Sequence, residues 1–419
     1  MNQRITVSVG IDWADAKHDF HLITPDGQIH AGVFEQDPKA IADQIAAWRK
    51  LCPNAIFAVA IEASKGAIVN ALLEFDDIQI YPINPSAMAN YRKAFAHGGG
   101  KNDPVDAKLL SQFIDHYREQ LQPLKPNSEL TRKIGVMAQD RRRLVDQRAD
   151  LANELTALLK SYFPAALALK PARSYSGFFL KFLQKYTSLA SAQSAGAMQL
   201  RNFFHGVGAK SKADGYAKSL IAAVPLTTDA ATIEMSVLRV TAVVDQLETL
   251  TKHIKRYEQQ LKKQLPQHDT YPVVKSLPGA ALNMQARIIA ALGDDRKRFP
   301  NAESLQTASG IAPLTSQSGR QKFVNARWAC PKFMKQTFHE YAGLSITQSR
   351  WAKAYYEQQK EKNKNRRNAA QIAKRALAYK WQRIIHRLWT SGEAYNEDLY
   401  IARLEATGSP LFKQLSETA

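Results

Sequence analysis

Hydrophobic and polar positions in the first hundred residues alternate as expected for short strands separated by amphipathic helices. The pattern predicts the order β-β-β-α-β-α-β-α, with a turn at 25–27 that favours a hairpin between the second and third strands. The first and fourth strands each end in a carboxylate, Asp12 and Glu62. The predicted strands cover 5–12, 20–24, 28–34, 55–62 and 78–83, and the predicted helices cover 40–50, 67–75 and 85–96.

A glycine loop at 98–100 leads into a further predicted helix. Asp103 suits the N-cap of this helix, and Pro104 suits its first position. Asp103 and Asp106 are three residues apart, so their carboxylates project from one side of the first turn. No Lys or Arg lies between the two acids in the sequence, and they repel each other unless a cation separates them. The local pattern leaves two interpretations open, a Mg²⁺ site and a simple helix cap.

Two long, charged helices are predicted in the middle of the chain, over 127–163 and 233–265, each ended by a proline. Their apolar residues keep helical or near-heptad spacing, which favours an antiparallel coiled-coil arm within the chain or between chains. An ordinary helical core is the alternative. Residues 165–230 form a mixed helical insertion between them, to which the sequence assigns no chemistry.

The C-terminal third begins with a motif, Leu277-Pro278-Gly279 followed by a helix over 284–292, that resembles a helix-hairpin-helix element. Backbone N–H groups in such a hairpin bind DNA phosphate, although Ala281 replaces the usual second glycine. Residues 309–322 are predicted to be a polar loop between helices. This loop contains Ser316 and Ser318, beside Arg320 and Lys322.

A formal net charge of +19 at pH 7 over 419 residues indicates a polyanionic partner, most simply nucleic acid. The length suits two or three domains. No apolar run is long enough to span a bilayer, and no signal peptide is evident. The two cysteines are far apart in the sequence, which suggests a reducing compartment and argues against a disulfide framework or a zinc site. The C-terminal part of the chain is predicted to contain a basic helix. Aromatic residues in the same part of the chain could stack on bases or pack in a core, namely Trp351, Tyr355, Tyr356, Tyr379 and Trp381.

The element order, with Asp12 and Glu62 closing the first and fourth strands, resembles the ribonuclease-H-like nucleases and recombinases. In that fold the two strands are neighbours, and converging carboxylates support two-metal phosphoryl transfer. Residues 9–12 also resemble the first phosphate motif of the actin-like kinases. The later glycine-rich motifs that those enzymes need do not occur in this sequence.

The ordered set of motifs resembles the DEDD-type insertion-sequence transposases, which are related to the Piv invertase and to bridge-RNA-guided recombinases. Asp12, Glu62, the Asp103-to-Ala107 block, the long basic helices, the proline-glycine hairpin and the Ser318-Gly319 loop occur in family order. The resemblance implies an α/β ribonuclease-H/RuvC-like domain at 1–125 and a coiled-coil arm at 126–270 with its insertion at 165–230. A mainly α C-terminal transposase domain, carrying the helix-hairpin-helix-like element, then covers 271–419.

The same resemblance implies a reaction. Asp12, Glu62, Asp103 and Asp106 would bind Mg²⁺, with Mn²⁺ as a substitute, and Ser318 (or Ser316, two residues earlier) would form a covalent link to DNA phosphate. The partners implied are double-stranded DNA, a structured guide RNA from the element and further copies of the chain in a dimer or tetramer. The implied location is the bacterial cytoplasm, at the nucleoid, with no membrane as partner. A Piv-like site-specific invertase without guide RNA and a non-catalytic nucleic-acid scaffold are the alternatives. The basic residues expected to bind nucleic acid are Arg320, Lys322, Arg366, Arg367, Lys374 and Arg375.

Overall fold

The computed structural model of the chain describes residues 5–62, 66–95, 103–169, 177–319, 321–325, 327 and 330–417. The chain divides into two compact units, Met1–Pro126 and Asn127–Ala419. The division into three domains at 1–125, 126–270 and 271–419 stays a prediction. The glycine loop at 98–100 lies outside the described residues.

The N-terminal unit is built on a five-stranded sheet with the order β3-β2-β1-β4-β5. β1 pairs parallel with β4 and antiparallel with β2, which confirms that the first and fourth strands are neighbours. The predicted hairpin between the second and third strands is also confirmed. The strands are β1 Thr6–Trp13, β2 Lys17–Ile23, β3 Ile29–Glu35, β4 Ile56–Ile61 and β5 Ile78–Pro82, and the helices are α1 Pro38–Leu51, α2 Ala67–Leu72, α3 Pro85–Phe95 and α4 Asp103–Tyr117.

The two faces of β1 have different neighbours because successive side chains point to opposite sides of a sheet. Val7, Val9 and Ile11 are fully buried in one hydrophobic cluster, which includes Trp48 of α1. Gly10 lies on the other face, directly against the backbone of α4. A second, smaller cluster joins β4 and β5 to residues of α3 and α4. The polar end of β1 therefore meets α4 on the face away from the main core.

The C-terminal unit is mainly helical, apart from one two-stranded sheet within its described residues. The predicted single basic C-terminal helix is wrong, because residues 363–368 separate α14 from α15. The elements are α5 Glu129–Tyr162, α6 Gly177–Lys185, α7 Leu189–Gly206, α8 Ala213–Ala222, α9 Ala230–Gln264, α10 Tyr271–Ser276, α11 Leu282–Leu292, α12 Ala302–Ala308, β6 Leu314–Ser318, β7 Gln321–Asn325, α13 Lys332–Ser345, α14 Arg350–Lys362, α15 Ala369–Ser391, α16 Glu397–Ala406 and α17 Pro410–Glu417.

The two long helices, α5 and α9, run antiparallel against each other. Arg141 near the start of α5 pairs with Glu258 near the end of α9 at 2.7 Å. Glu154, further along α5, pairs with Arg239 near the start of α9, also at 2.7 Å. Pairing within one chain is thus observed, while the description of these helices as a coiled-coil arm stays a prediction.

Two hydrophobic clusters stabilise the C-terminal unit. The helices of the 165–230 insertion share one cluster with parts of α5 and α9. The other cluster, around α10–α15, contains Trp351 and Trp381, both with no exposed surface. Of the two alternatives left open for these two tryptophans, core packing is the one that the structure shows. No helix within the described ranges is long and apolar enough to cross a membrane.

The segment 314–325 forms an antiparallel hairpin, so the prediction of a polar loop over 309–322 is wrong in its second half. Ser316 pairs with Phe323, and Ser318 pairs with Gln321. Gly319 occupies the turn with a φ of 59°, a left-handed conformation that side chains disfavour. The run is rich in Ser, Thr and Gln and has few β-branched residues, so its sequence resembles a loop. We call β6 and β7 the serine hairpin.

Candidate functional site

A glycine sets the position of α4 on the sheet. A Cβ atom at Gly10 would lie 2.0 Å from the carbonyl oxygen of Ala107 and 2.4 Å from the amide nitrogen of Ser111. Any side chain there would push α4 away from β1, because the atoms it would meet belong to the backbone. Gly10 therefore allows the helix that carries Asp106 to lie directly against the strand that carries Asp12.

Two hydrogen bonds, one partly buried and one buried, attach α4 to the sheet. Ser8 Oγ on β1 donates to Asp115 Oδ1 at 2.8 Å. His21 Nδ1 on β2 lies 2.7 Å from Ser111 Oγ, and that hydroxyl donates to the Lys108 carbonyl at 2.8 Å. His21 Nδ1 is therefore the donor to Ser111 Oγ. Burial, assisted by the charge of Lys108, lowers the pKa of His21 below its usual 6.5.

Three of the four predicted acids line one pocket in the N-terminal unit. Asp12 lies at the end of β1, Glu62 directly follows β4, and Asp106 lies in the first turn of α4. The pocket has a volume of about 250 Å³. We call it the acidic pocket, and its lining consists of Asp12, Trp13, Ala14, Asp19, Glu62, Pro85, Ala89, Arg92 and Asp106. The side chain of Asp103, the fourth predicted acid, lies outside the described residues.

Sequence reasoning missed a further acid, Asp19, in the same pocket. Asp19 is the direct cross-strand partner of Asp12, and only 7% of its surface is exposed. Directly opposed residues in an antiparallel pair project to the same face of the sheet. A hairpin predicted between the first and second strands, rather than only between the second and third, would have paired these two acids.

Sequence reasoning also missed a basic residue. Arg92 Nη2 of α3 lies 2.5 Å from Asp106 Oδ1. The absence of a Lys or Arg between Asp103 and Asp106 along the chain was therefore a poor guide to their surroundings. The compensating charge comes from another helix, a tertiary contact that no local pattern contains.

The donor chemistry of the acidic pocket fits a divalent cation. Carboxylate oxygens are the ligands that Mg²⁺ prefers, and Asp12, Glu62 and Asp106 could hold it. Within the described part of the chain, however, no three acidic, His or Cys side chains lie close enough together to share one metal ion. One donor, Asp106, is paired with Arg92. The pocket thus offers the right ligand type, without a preformed ligand cluster among the described side chains.

The candidate nucleophile lies in the C-terminal unit. The backbone of Ser318 ends β6, next to the turn at Gly319, and Ser316 lies two residues earlier on the same face. The side chains of both serines lie outside the described residues. The described side chains of the serine hairpin are exposed, with Leu314 at 44% and Phe323 at 52%.

The predicted phosphate grip of the helix-hairpin-helix-like element has little support in the turn between α10 and α11. The amide of Ala280 donates to the Leu277 carbonyl and that of Ala281 to the Gly279 carbonyl, both at 3.1 Å. Gly279 itself packs against the backbone of Leu344, where an added Cβ would lie 2.8 Å from the carbonyl oxygen. This glycine permits close packing of the turn against α13.

The predicted nucleic-acid-binding residues differ in their surroundings. Arg366 and Arg367 are exposed between α14 and α15, and Lys374 is half-buried on α15. Arg375 donates to the carbonyls of Gly310 and Ile311 at 3.0 Å, so part of its guanidinium binds the protein's own backbone. Arg320 and the Lys322 side chain lie outside the described residues.

Comparison with known proteins identifies related chains along most of the length. Residues 9–164 match the family model described as "Transposase" for the DEDD group of IS110, and residues 271–357 match the model "Transposase IS116/IS110/IS902 family". The chain is 28% identical over 389 residues to the "Mini-circle putative transposase for IS117" of Streptomyces coelicolor, covering 85% of this chain and 88% of that protein. It is 24% identical to the "Insertion element IS900 uncharacterized 42 kDa protein" of Mycobacterium paratuberculosis, covering 90% and 94%.

The two family models match the two units in which the acidic pocket and the serine hairpin lie. The second model also contains both candidate serines. A non-catalytic nucleic-acid scaffold, one of the alternatives from the sequence, is set aside by this result. The chain belongs to the IS110 family of transposases, enzymes that act on DNA.

Proposed function

We propose that this transposase cuts and rejoins the DNA of its insertion element by metal-dependent phosphoryl transfer, with Ser318 as the nucleophile. The single observation that carries the proposal is the convergence of Asp12, Glu62 and Asp106 on one pocket. The residues come from two parallel neighbouring strands and a helix laid against them, and repulsion between their carboxylates favours a bound cation. Asp103, one turn before Asp106, is the fourth ligand in this proposal.

Ser318 acts on the scissile phosphate. Its Oγ forms a bond to phosphorus while the bond from phosphorus to a sugar oxygen breaks, and the departing oxygen takes up a proton. The serine ester retains the bond energy of the phosphodiester, so the reverse reaction on a new strand end rejoins the DNA. A divalent cation held by the acids supplies electrostatic stabilisation of the charge that develops on the phosphate oxygens.

The two halves of this chemistry belong to different units of the chain. We therefore propose that function depends on an oligomer, a dimer or tetramer, in which the arm formed by α5 and α9 has an architectural role. A structured RNA from the element is the proposed guide, and the exposed Arg366 and Arg367 are its proposed contacts. A Piv-like reaction without RNA is the alternative, distinguished by retained cleavage after ribonuclease treatment.

The test of the acidic pocket is strand cleavage by the full chain with its element DNA and RNA. Asp12→Asn and Asp106→Asn are expected to lose cleavage by about 10³-fold or more while still binding DNA, because they remove metal ligands and few phosphate contacts. Asp43→Asn, an exposed acid of α1, is the matched control and is expected to cleave normally. Full cleavage in EDTA, or by either pocket variant, would contradict the proposal.

A further inference from the structure

The contact between Arg92 and Asp106 joins two helices inside the N-terminal unit. Arg92 lies in the last turn of α3, and Asp106 lies in the first turn of α4. Their side chains are 25% and 9% exposed, and the contact measures 2.5 Å. The pair is therefore largely shielded from solvent, where a charge contact is stronger than at the surface.

The same pair lies in the acidic pocket. Among the described residues that line this pocket, Arg92 is the only basic one, against four acids. Its guanidinium thus lies among the acids and offsets part of their negative charge. A divalent cation bound through Asp106 Oδ1 would need the oxygen that Arg92 contacts.

The pair lacks the hydrogen bonding of a fully satisfied ion pair. The contact between Arg92 Nη2 and Asp106 Oδ1 does not have the geometry of a hydrogen bond, and the buried Arg92 Nε has no hydrogen-bond partner. By contrast, Arg49 and Asp77, also in the N-terminal unit, form a bidentate ion pair with hydrogen bonds of 2.7 and 2.6 Å. A buried charge that loses its partner is costly, so Arg92 can leave Asp106 only when another cation takes its place.

We propose that Arg92 is the resident counter-ion of the acidic pocket and that a divalent cation binds Asp106 only in exchange for it. This inference rests on the proposed metal-dependent function. In the metal-free protein Arg92 relieves repulsion among the acids and holds α3 against α4. Metal binding releases the guanidinium, and it also removes one of the contacts between these two helices.

Competition for one oxygen has a measurable consequence. Arg92→Gln removes the competing charge, so Mn²⁺ binds about fivefold or more tightly than to the unmodified chain, in the range usual for coupled equilibria. Arg92→Lys keeps a cation in the pocket and retains an affinity near that of the unmodified chain. Arg92→Gln also lowers the melting temperature of the metal-free protein, and Mn²⁺ raises it by more than in the unmodified chain.

The experiment is titration of the full-length chain with Mn²⁺, followed by calorimetry and by melting temperature. Arg49→Gln is the matched control, since it breaks an arginine–carboxylate pair outside the pocket and is expected to leave Mn²⁺ affinity unchanged. Arg92→Met is a second variant in case Arg92→Gln does not fold. Asp106→Asn is expected to weaken Mn²⁺ binding.

The outcomes separate this inference from the function on which it rests. Tighter binding by Arg92→Gln or Arg92→Met, with Arg49→Gln unchanged, supports the exchange. Equal or weaker binding by folded Arg92 variants overturns the exchange and leaves the metal site of the unmodified chain intact. No binding by any folded variant or by the unmodified chain overturns both this exchange and the metal-dependent function.

Discussion

The acidic pocket and the serine hairpin differ in what holds them in place. Asp19 and Asp106 of the pocket are 7% and 6% exposed, and the backbone of α4 lies directly against β1 at Gly10. The hairpin has two strands, and Phe323 on the face shared with both serines is 52% exposed. Two-stranded hairpins are marginally stable in isolation. The pocket is therefore organised by packing, while the described side chains of the hairpin are exposed.

The largest effect is expected from a substitution that disturbs the packing of α4 beside the acidic pocket. Gly10→Val would place side-chain atoms where the α4 backbone lies, and overpacking of this kind costs about 3 kcal/mol. Urea denaturation of the full chain is expected to show the N-terminal unit unfolding earlier, with loss of cleavage. Gly32→Ala is the comparison in the same sheet and is expected to cost less, because its added Cβ would lie 2.9 Å from a ring carbon of Phe20, a side chain that can shift, and not against backbone. Equal stability of both variants would contradict the role of Gly10.

A smaller effect is expected in the hairpin. Gly319→Ala forces a side chain into a left-handed conformation, which costs roughly 1–2 kcal/mol. The added Cβ meets no other atom within 4 Å, so the cost falls on the turn alone. We expect an almost unchanged melting temperature, with about fivefold less covalent protein–DNA adduct.

Gly27→Ala is the matched control for that prediction. Gly27 has a φ of 84° in the turn between β2 and β3, and it too has open space around it. The two substitutions carry a similar backbone cost, one beside the candidate serine and one in the other unit. Equal adduct formation by both variants would mean that the hairpin's turn has no part in presenting the serine.

The two arginines between α14 and α15 test whether exposed charge, rather than packing, binds the nucleic acid. Replacing Arg366 and Arg367 with alanine is expected to weaken binding and to reduce the salt dependence by about 0.9 in the log–log slope per lost duplex phosphate contact. Replacing the exposed Lys210 and Lys212 of the insertion removes the same charge and serves as control. An unchanged slope in the arginine variant would mean that Arg366 and Arg367 do not contact nucleic-acid phosphates.

The smallest expected effect concerns pH and the attachment of α4. The pKa of His21 is lowered by burial and by Lys108, so below pH 6.5 the unfolded chain takes up a proton more readily than the folded chain. Stability from neutral His21 is therefore present above pH 6.5 and is lost as the pH falls below it. His21→Asn, which keeps a donor for Ser111, is expected to reduce this loss in denaturation curves at several pH values. His116→Asn on the exposed side of α4 is the control, and an equal change in both variants would contradict the assignment.

The sequence predicted the N-terminal sheet well because its information is local. Strand-end acids and the hairpin turn at 25–27 are visible in a few consecutive residues, and the parallel neighbours β1 and β4 were expected from the resemblance to the ribonuclease-H-like fold. Arg92 and Asp19 were missed because their roles depend on which residues face each other across helices and strands. Gly10 was passed over for the same reason, since its contact with α4 is nearly a hundred residues away along the chain.

The C-terminal unit was harder to predict. The serine hairpin is rich in Ser, Gln and Thr, which are also typical of loops, so its strands were not recognised. Trp351 and Trp381 lie among basic residues in the sequence but pack against each other in the core, with ring centroids 4.7 Å apart. Burial of an aromatic residue on a charged helix depends on its face, and single residues were judged without that periodicity.

Mapping of the covalent protein–DNA adduct tests the central claim most directly. The full chain, with its element DNA and RNA and a divalent cation, is trapped during cleavage and digested to peptides. We expect DNA attached to the peptide that contains Ser318, no adduct from Ser318→Ala, and no adduct from Asp12→Asn. Attachment at Ser316 would move the nucleophile by two residues along the same hairpin face. Intact cleavage with no adduct under any trapping condition would contradict the serine mechanism.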